Sequence, residues 1–302
     1  MPHASNIAPA AGKPEQLEQG ITRVIAPNPS PMTYWGTNSY LVGETSVVVI
    51  DPGPADEAHL AALLGAIDGR DVAAILITHS HRDHSPLAAR LRQETGAKVY
   101  AFGPSTAGRS ERMNALAQSA RVAGGEGVDA TFAPDIELKD NEVFRWKGNE
   151  ITALHTPGHF CNHLSFRYRD TLFSGDHVMG WASTLISPPD GDLAQYRNSI
   201  KKLQGQNLKR FLPGHGAPID SPEERVAELL AHRNDREAKI LVALNTIPQS
   251  IPAITRAVYT DTPKALLPAA ERNTFAHLID LYDKNTVFAS NPLSFTSHFS
   301  RK

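Results

Sequence analysis

The string His79-Ser80-His81-Arg82-Asp83-His84 constrains this chain more than any other feature of its sequence. It directly follows the apolar run 73–77, which we predict to be a buried β-strand. Neutral imidazoles and carboxylates are ligands that Zn²⁺ and similar divalent ions prefer. On a loop that leaves a strand, side chains two positions apart can point the same way, so His79 and His81 can share one ion. Asp83 and His84, a step further on, can reach a second ion.

Three further strings carry the same residue types at the ends of predicted strands: His155-Thr156-Pro157-Gly158-His159, Ser174-Gly175-Asp176 and Pro213-Gly214-His215-Gly216. In each string an apolar strand delivers a histidine or an aspartate into a turn that contains glycine. Functional side chains are commonly held on loops at the strand ends of a rigid scaffold. Five of the histidines in these four strings and their two aspartates are enough to hold two ions that one carboxylate bridges.

Composition supports a metal site built from histidine and excludes several other classes of protein. Eight of the thirteen histidines lie between His79 and His215, whereas the chain has one cysteine, Cys161. A single cysteine excludes an intramolecular disulfide framework and a zinc site built from cysteines. The formal net charge of −2 gives no overall basic excess that would indicate nucleic-acid binding. The longest apolar runs are too short to span a bilayer, so we expect no membrane partner.

The chain divides into three predicted segments. Residues 1–20 lack both the apolar core of a secretory signal and the arginines of a transit peptide, so we predict a mobile tail and a cytoplasmic protein. Residues 21–220 mix predicted strands and helices, which is typical of a layered α/β domain. Residues 221–302 carry three helical stretches and a short strand near their end, which predicts a small helical domain of winged-helix type.

On these motifs the sequence resembles the metallo-β-lactamase fold superfamily, whose signature has the form His-x-His-x-Asp-His. The resemblance runs from Asp51 to His215 and implies an α/β fold, the αββα sandwich, in which two mixed sheets pack face to face with helices outside. It implies two Zn²⁺ ions, or other divalent ions such as Mn²⁺ or Fe²⁺. The implied ligands are His79, His81 and His155 for one ion, Asp83, His84 and His215 for the other, and Asp176 between them. Asp51 matches an acid that orients the ligand loop, although a strand-end turn residue would have the same spacing.

The sequence is most similar to one branch, the β-lactamase-like 2 group, through 78–85, 155–163, 175–180 and 232–237. Members of that group carry a winged-helix-like C-terminal domain. Animal members act as endoribonucleases and some fungal relatives as polyketide thioesterases. The chain departs from the family at Ser85-Pro86-Leu87, where a glycine pair is common, although a proline can start the following helix equally well. It has His81 where redox-active diiron relatives have glutamate, which favours hydrolysis over electron transfer.

The implied chemistry is hydrolysis by a hydroxide that bridges the two metal ions, with Asp83 as the catalytic carboxylate that orients it. We expect a small acyl substrate, an ester, thioester or lactone. The alternative is a metal-dependent endoribonuclease or phosphodiesterase, and a third hypothesis is a non-catalytic binding protein that metal stabilises.

Substrate contacts are expected in the unpatterned segment 179–192, at Trp181, Ser183 and Thr184, although ordinary loop packing would explain them equally well. His159 and His163 either orient metal ligands or are buried histidines with satisfied hydrogen bonds. The helical domain is expected to shape the substrate entrance or to mediate a homodimer. Its basic residues are interleaved with acids, which favours solvated helices over an RNA platform: Arg233, Arg236, Lys239, Arg256 and Lys264.

Overall fold

The structure is a computed structural model, and it describes residues 8–119, 122, 124–125, 127–290 and 292–302. Its first sheet contains seven strands in the described chain, and their order in the sheet follows their order in the sequence. They are β1 (Glu15–Glu18), β2 (Ile21–Ile25), β3 (Asn38–Val42), β4 (Ser46–Ile50), β5 (Asp71–Leu76), β6 (Val99–Ala101) and β7 (Ile136–Glu137). Strands β4 to β7 are parallel neighbours, and β1 to β4 are antiparallel.

A second sheet faces the first. Its order within the described residues is β12-β11-β10-β9-β8, and only the β11–β12 pair is parallel. The strands are β8 (Val143–Trp146), β9 (Asn149–His155), β10 (Leu164–Tyr168), β11 (Thr171–Gly175) and β12 (Arg210–Pro213). Large buried side chains from both sheets, such as Tyr40 and Phe173, fill the space between them.

Helices cover both outer faces. The helices of this part of the chain are α1 (Glu57–Ile67), α2 (Ala88–Thr95), α3 (Glu111–Gln118) and α4 (Leu193–Leu203). Strand β4 shows why its sequence is apolar throughout: Val47 and Val49 pack beneath α1, whereas Val48 and Ile50 face the second sheet. A strand buried on both faces needs apolar residues at every position rather than at alternate ones. The predicted helix–sheet–sheet–helix sandwich is confirmed.

The C-terminal part contains the helices α5 (Pro222–Ala243), α6 (Ile251–Val258) and α7 (Leu267–Asp283). A small sheet of β13 (Gln249–Ser250), β14 (Val287–Ala289) and β15 (His298–Arg301) completes it. Helix α5 connects the two parts, because Val226 and Leu229 pack on the sandwich while Ile240 belongs to the C-terminal core. Helix α3 also contributes to that core, through Met113 and Leu116.

Two local features differ from the sequence expectations. The sequence predicts a mobile tail over residues 1–20, but Glu15–Glu18 form β1 and pair with β2, after which Gly20 turns the chain at a φ of +77°. Residues 1–7 of that tail lie outside the described residues. The helix expected after Ser85 begins at Ala88, because residues 82–87 form hydrogen-bonded turns instead. In the described part of the chain, no helix is both long and apolar enough to cross a membrane.

Candidate metal centre

Four strand ends bring the predicted site residues to one region. Asp51 and His79 follow β4 and β5, which are parallel neighbours in the first sheet. Asp176 and His215 follow β11 and β12, which are the parallel neighbours in the second sheet. Because the carboxyl ends of parallel strands meet at one edge of a sheet, side chains far apart in the sequence converge there.

The converging side chains form two groups whose ligand atoms lie within 4.8 Å of one another: His79, His81, His159 and Asp176 in the first, and Asp83, His84 and His215 in the second. In the first group, His81 Nδ1 lies 2.9 Å from His79 Nε2 and 3.2 Å from His159 Nε2. In the second, His215 Nε2 lies 3.3 Å from His84 Nε2 and 3.1 Å from Asp83 Oδ2. Two ligands about 2.1 Å from one zinc ion at a tetrahedral angle are about 3.4 Å apart. The donor spacing therefore fits a metal ion in each group.

Asp176 lies between the two groups. Its Oδ2 is 3.7 Å from His159 Nε2 in the first group and 3.4 Å from His215 Nε2 in the second. Its Oδ1 is buried and has no hydrogen-bond partner among the described residues. A buried carboxylate oxygen without a hydrogen bond is costly unless a cation binds it. This orphaned oxygen fits a carboxylate that bridges two ions.

The structure does not bring one predicted ligand into either group. His155 lies outside both groups: its Nε2 donates to the carbonyl oxygen of Cys161 at 3.1 Å, and its ring stacks on Phe102 with centroids 3.7 Å apart. The alternation of β9 explains this, because His155 falls on the same face as Ile151 and Ala153, which point between the sheets. His159, four residues later, occupies the place that the sequence analysis gave to His155.

A sequence signal could have identified His159. Asp176 and His215 each follow a glycine directly, at Gly175 and Gly214, and His159 likewise follows Gly158. Gly158 has a φ of +140°, and a Cβ there would lie 2.3 Å from the Tyr196 backbone. Glycine permits this turn, which delivers the following side chain into the site.

Each histidine ring is held through its second nitrogen where that contact is described. Asp51 accepts hydrogen bonds from His84 Nδ1 at 2.9 Å and from the Thr78 backbone and hydroxyl at 2.7 and 2.6 Å. His215 Nδ1 donates to Gly36 O at 3.1 Å. His159 Nδ1 donates to Leu185 O at 2.7 Å. Such contacts fix the tautomer and leave the other ring nitrogen facing a metal. His163 is more remote, since its Nδ1 contacts Thr156 Oγ1 and its ring stacks 5.2 Å from that of His79.

Residues that the sequence analysis did not identify hold the His215 turn. Asn38 Nδ2 donates to the carbonyl oxygens of Pro213 and Gly216, both at 2.9 Å. Arg23 donates to Gly216 O at 3.0 Å, and the Tyr40 hydroxyl donates to Pro213 O at 2.6 Å. These donors lie more than 170 residues from their acceptors, so no local pattern marks them.

The electrostatics differ between the two groups. Burial lowers the pKa of His79 well below its ordinary value and that of His81 to about 3, so both rings carry free lone pairs at neutral pH. In the second group burial alone would lower the pKa of His215, but the neighbouring carboxylates outweigh burial and raise that pKa to about 9. The charges of His215 and His84 likewise hold the pKa of Asp176 well below its usual range, although burial alone would raise it. Because ligands must be deprotonated, metal binding here would release protons from the second group.

A cavity of about 700 Å³ opens above the two groups of candidate metal ligands. His81, Asp83, His159, Asp176 and His215 line its base. Its walls come from both parts of the chain: Pro31 and Met32 from the sandwich, and Leu266, Pro268 and Phe295 from the C-terminal part. A concave, mainly apolar pocket with a few converging polar groups is the usual form of a small-molecule site.

The three expected substrate contacts lie elsewhere. Thr184 is fully buried, and its hydroxyl contacts the carbonyl oxygens of Asp176 and His177 at 2.7 and 3.1 Å. Trp181 stacks on Tyr34 with centroids 4.9 Å apart. Neither these two residues nor Ser183 is among the described residues that line the cavity, whereas Leu185 and Ser187 of the same segment are.

Two family models match this sequence. The first, described as metallo-beta-lactamase superfamily, matches residues 32–215. The second, described as beta-lactamase associated winged helix domain, matches residues 250–290. The second match covers α6, α7 and β14 of the C-terminal part.

Individual proteins are similar over most of the chain. A Drosophila melanogaster protein named Beta-lactamase-like protein 2 homolog is 31% identical over 281 residues, which cover 88% of this chain and 89% of that protein. An Aspergillus fumigatus protein named Atrochrysone carboxyl ACP thioesterase is 28% identical over 241 residues, 76% of this chain and 67% of that one. The crystal structure of a beta-lactamase domain protein from Burkholderia ambifaria gives a TM-score of 0.80 at 22% identity, with 99% of this chain and 96% of that one covered. That structure shows a common fold.

Proposed function

This chain belongs to the metallo-beta-lactamase superfamily and is a hydrolase of that superfamily. We propose that it uses two divalent ions, with zinc as the favoured metal, to cleave a small ester, thioester or lactone. His79, His81 and His159 would hold one ion and Asp83, His84 and His215 the other, with Asp176 between them. The observation that carries this proposal is the convergence of these donors into two adjacent groups with spacings that suit zinc.

When bound, two such ions lower the pKa of a coordinated water and polarise the scissile carbonyl group. The chain's own residues position the reactants around them. Asp83 has a side chain that is 27% exposed, and it lines the base of the cavity. Its Oδ2 belongs to the second ligand group, so its other carboxylate oxygen would accept a hydrogen bond from the attacking water, take the proton and return it to the leaving oxygen or sulfur.

The cavity walls support an acyl substrate. Pro31, Met32, Leu266 and Phe295 offer apolar surface to the carbon chain of an acyl group. A polyanion would instead need exposed cations near the site, because phosphate contacts draw mainly on lysine and arginine. Arg233, one of the basic residues considered for an RNA platform, is 1% exposed, and Arg272, the arginine among the described lining residues, is 8% exposed with its guanidinium over the Phe295 ring. The name of the Aspergillus fumigatus relative, a thioesterase, points the same way.

The test combines metal reconstitution with a substrate panel. Protein stripped with a chelator is reloaded with Zn²⁺, Mn²⁺ or Fe²⁺ and assayed on acyl-thioesters, aryl esters, lactones and single-stranded RNA. We expect about two ions per chain and metal-dependent acyl hydrolysis that falls about 10²- to 10⁴-fold in Asp83→Ala. Asp220→Ala removes a surface carboxylate that pairs with Arg210 and serves as the matched control.

Two outcomes contradict the proposal. Metal-dependent RNA cleavage that Asp83→Ala abolishes, with no acyl hydrolysis, would make the chain a ribonuclease. A chain that binds metal tightly and hydrolyses no substrate of the panel would instead be a binding protein that metal stabilises.

A further inference from the structure

The segment 179–186 connects the metal groups to the C-terminal part of the chain. It follows the candidate bridging ligand Asp176 and precedes the cis peptide bond between Pro188 and Pro189. It has no regular secondary structure, so its backbone groups form few hydrogen bonds within the segment. Its position must therefore be set by contacts with other elements.

On one side the segment contacts two candidate metal ligands. Leu185 O accepts the hydrogen bond from His159 Nδ1 at 2.7 Å, which leaves His159 Nε2 facing His81 and Asp176. The Thr184 hydroxyl lies 2.7 Å from Asp176 O, to which it donates. A shift of this segment would therefore turn the His159 ring and move the backbone that carries Asp176.

On the other side the segment is held by α5 and α7. The Arg233 guanidinium on α5 donates to Thr184 O and, at 3.2 Å, to Asn273 Oδ1 on α7. The same Asn273 oxygen accepts from Ile186 N at 3.0 Å. One amide oxygen thus joins the arginine and the segment. Arg225, also on α5, donates to Met179 O and Ala182 O, both at 2.8 Å.

Arg233 is buried deeply for a charged residue. Only 1% of it is exposed, and its guanidinium lies 5.1 Å from the centre of the Tyr196 ring. Its described hydrogen-bond acceptors are a carbonyl oxygen and an amide oxygen. Removing the guanidinium would leave the carbonyl of Thr184, a fully buried residue, without this donor, and a buried unpaired carbonyl drives local rearrangement.

We propose that Arg233 and Asn273 are positioning residues for the metal centre: they fix Thr184 and Ile186, so that Leu185 O orients His159 and the Thr184 hydroxyl fixes Asp176. This inference rests on the proposed function, because it takes His159 and Asp176 as metal ligands. The C-terminal part then does more than form a wall of the cavity, since it holds the ligand geometry from behind.

The experiment measures metal binding in the full chain without reference to a substrate. Metal-free wild type, Arg233→Met, Arg233→Lys, Asn273→Ala and Asn273→Asp are titrated with zinc against a competing chromophoric chelator. The same proteins loaded with cobalt(II) give visible absorption bands that report ligand geometry. Arg236→Met is the matched control, because Arg236 also lies on α5, and its described partners, the Tyr259 ring and the Val258 carbonyl, belong to the C-terminal part.

We expect the zinc dissociation constant of one site to rise about 10- to 100-fold in Arg233→Met and Asn273→Ala, with altered cobalt bands. Arg233→Lys should also be weakened, since an ammonium group lacks the fork that reaches both acceptors. Asn273→Asp keeps an acceptor oxygen and should bind zinc like the wild type. Arg236→Met should stay within about twofold of the wild type. Thermal unfolding of the metal-free proteins identifies any variant that fails to fold. If Arg233→Met does not fold, the comparison of Asn273→Ala with Asn273→Asp tests the inference in its place.

The outcomes separate this inference from the proposed function. A wild type that binds two zinc ions, with Asn273→Ala and folded Arg233 variants that bind them equally well and give unchanged cobalt bands, would overturn the inference alone. An equal loss in Arg236→Met would also overturn it, because the effect would then reflect the stability of the C-terminal part. A wild type that binds no zinc would overturn the proposed function and the inference together.

Discussion

Replacing His159 and His155 one at a time tests which of the two histidines binds metal, because the sequence predicts His155 and the structure favours His159. The two residues lie four positions apart, and both become alanine, so each variant is the control for the other. His159 Nε2 lies 3.2 Å from His81 Nδ1, whereas His155 Nε2 donates to Cys161 O and its ring stacks on Phe102. The structure therefore predicts that His159→Ala weakens metal binding, whereas His155→Ala lowers stability and leaves metal binding unchanged.

The magnitudes follow from these contacts. His159→Ala removes one of three imidazoles from the first group, and we expect more than about a 100-fold loss of zinc affinity at one site, since residues behind a ligand alone cost about 10- to 100-fold. His155→Ala removes a stacked ring pair, about 0.5–1.5 kcal/mol. It also removes a hydrogen bond of about 0.5–1.5 kcal/mol. The metal-free His155 variant should thus lose about 1–3 kcal/mol of unfolding free energy and still bind two ions.

Elemental analysis after dialysis gives the metal content, and urea unfolding of the chelated proteins gives the stability. The expected result is about one tightly held ion in His159→Ala and two in His155→Ala, with a stability loss of about 1–3 kcal/mol in the latter. A His155→Ala protein that loses zinc at unchanged stability, beside a His159→Ala protein that keeps two ions, would refute the reasoning.

Two further predictions test the packing of the site and the buried histidine His59 of the sandwich. Gly214→Ala would place a Cβ 2.4 Å from Asp176 Oδ1 and 2.7 Å from His84 Cε1. Zinc affinity, measured by chelator competition, should therefore fall at least about tenfold, the lower end of the range for residues beside a ligand. Gly65→Ala in α1, where a Cβ has nothing within 4 Å, should leave zinc affinity unchanged. Burial lowers the pKa of His59 to about 4 from 6.5, so the unfolded chain binds more protons between these values and stability falls as pH falls through them. Chelated wild type should lose about 2 kcal/mol more than His59→Gln between pH 7 and pH 5 in urea unfolding, and equal losses would contradict the role of His59.

Local patterns predicted a layered α/β domain and most of the site, and the resemblance to the superfamily implied the sandwich. The apolar runs of β4 and β5 show strands buried on both faces, and the ligand strings stand directly at strand ends. Six of the seven predicted ligands, all except His155, are brought together in the structure. The exception arose because β9 ends at His155, whose side chain stays on the face between the sheets, and the turn at Gly158 then delivers His159 into the site.

Long-range contacts could not be predicted in the same way. Arg233 meets Thr184 across 49 residues, and Arg23 meets Gly216 across 193. Neither pair has a spacing rule, since such contacts follow from how whole elements pack rather than from a period of 2 or 3.6 residues. The same reason explains Thr184, for which the sequence left a substrate contact and ordinary loop packing equally open and which the structure buries against Asp176.

The two roles of the C-terminal part therefore fall on different residues of the same elements. Leu266 and Phe295 line the cavity, where they would contact the substrate. Arg233 and Asn273 face the back of segment 179–186 and, among the described contacts, reach the candidate metal ligands through Leu185 and Thr184. Because metal ligands at the base determine the reaction while the walls determine what fits, changes at the lining residues should act on KM and acyl preference. Changes behind the segment should act on metal affinity, so the two classes of variant are distinguishable in one protein.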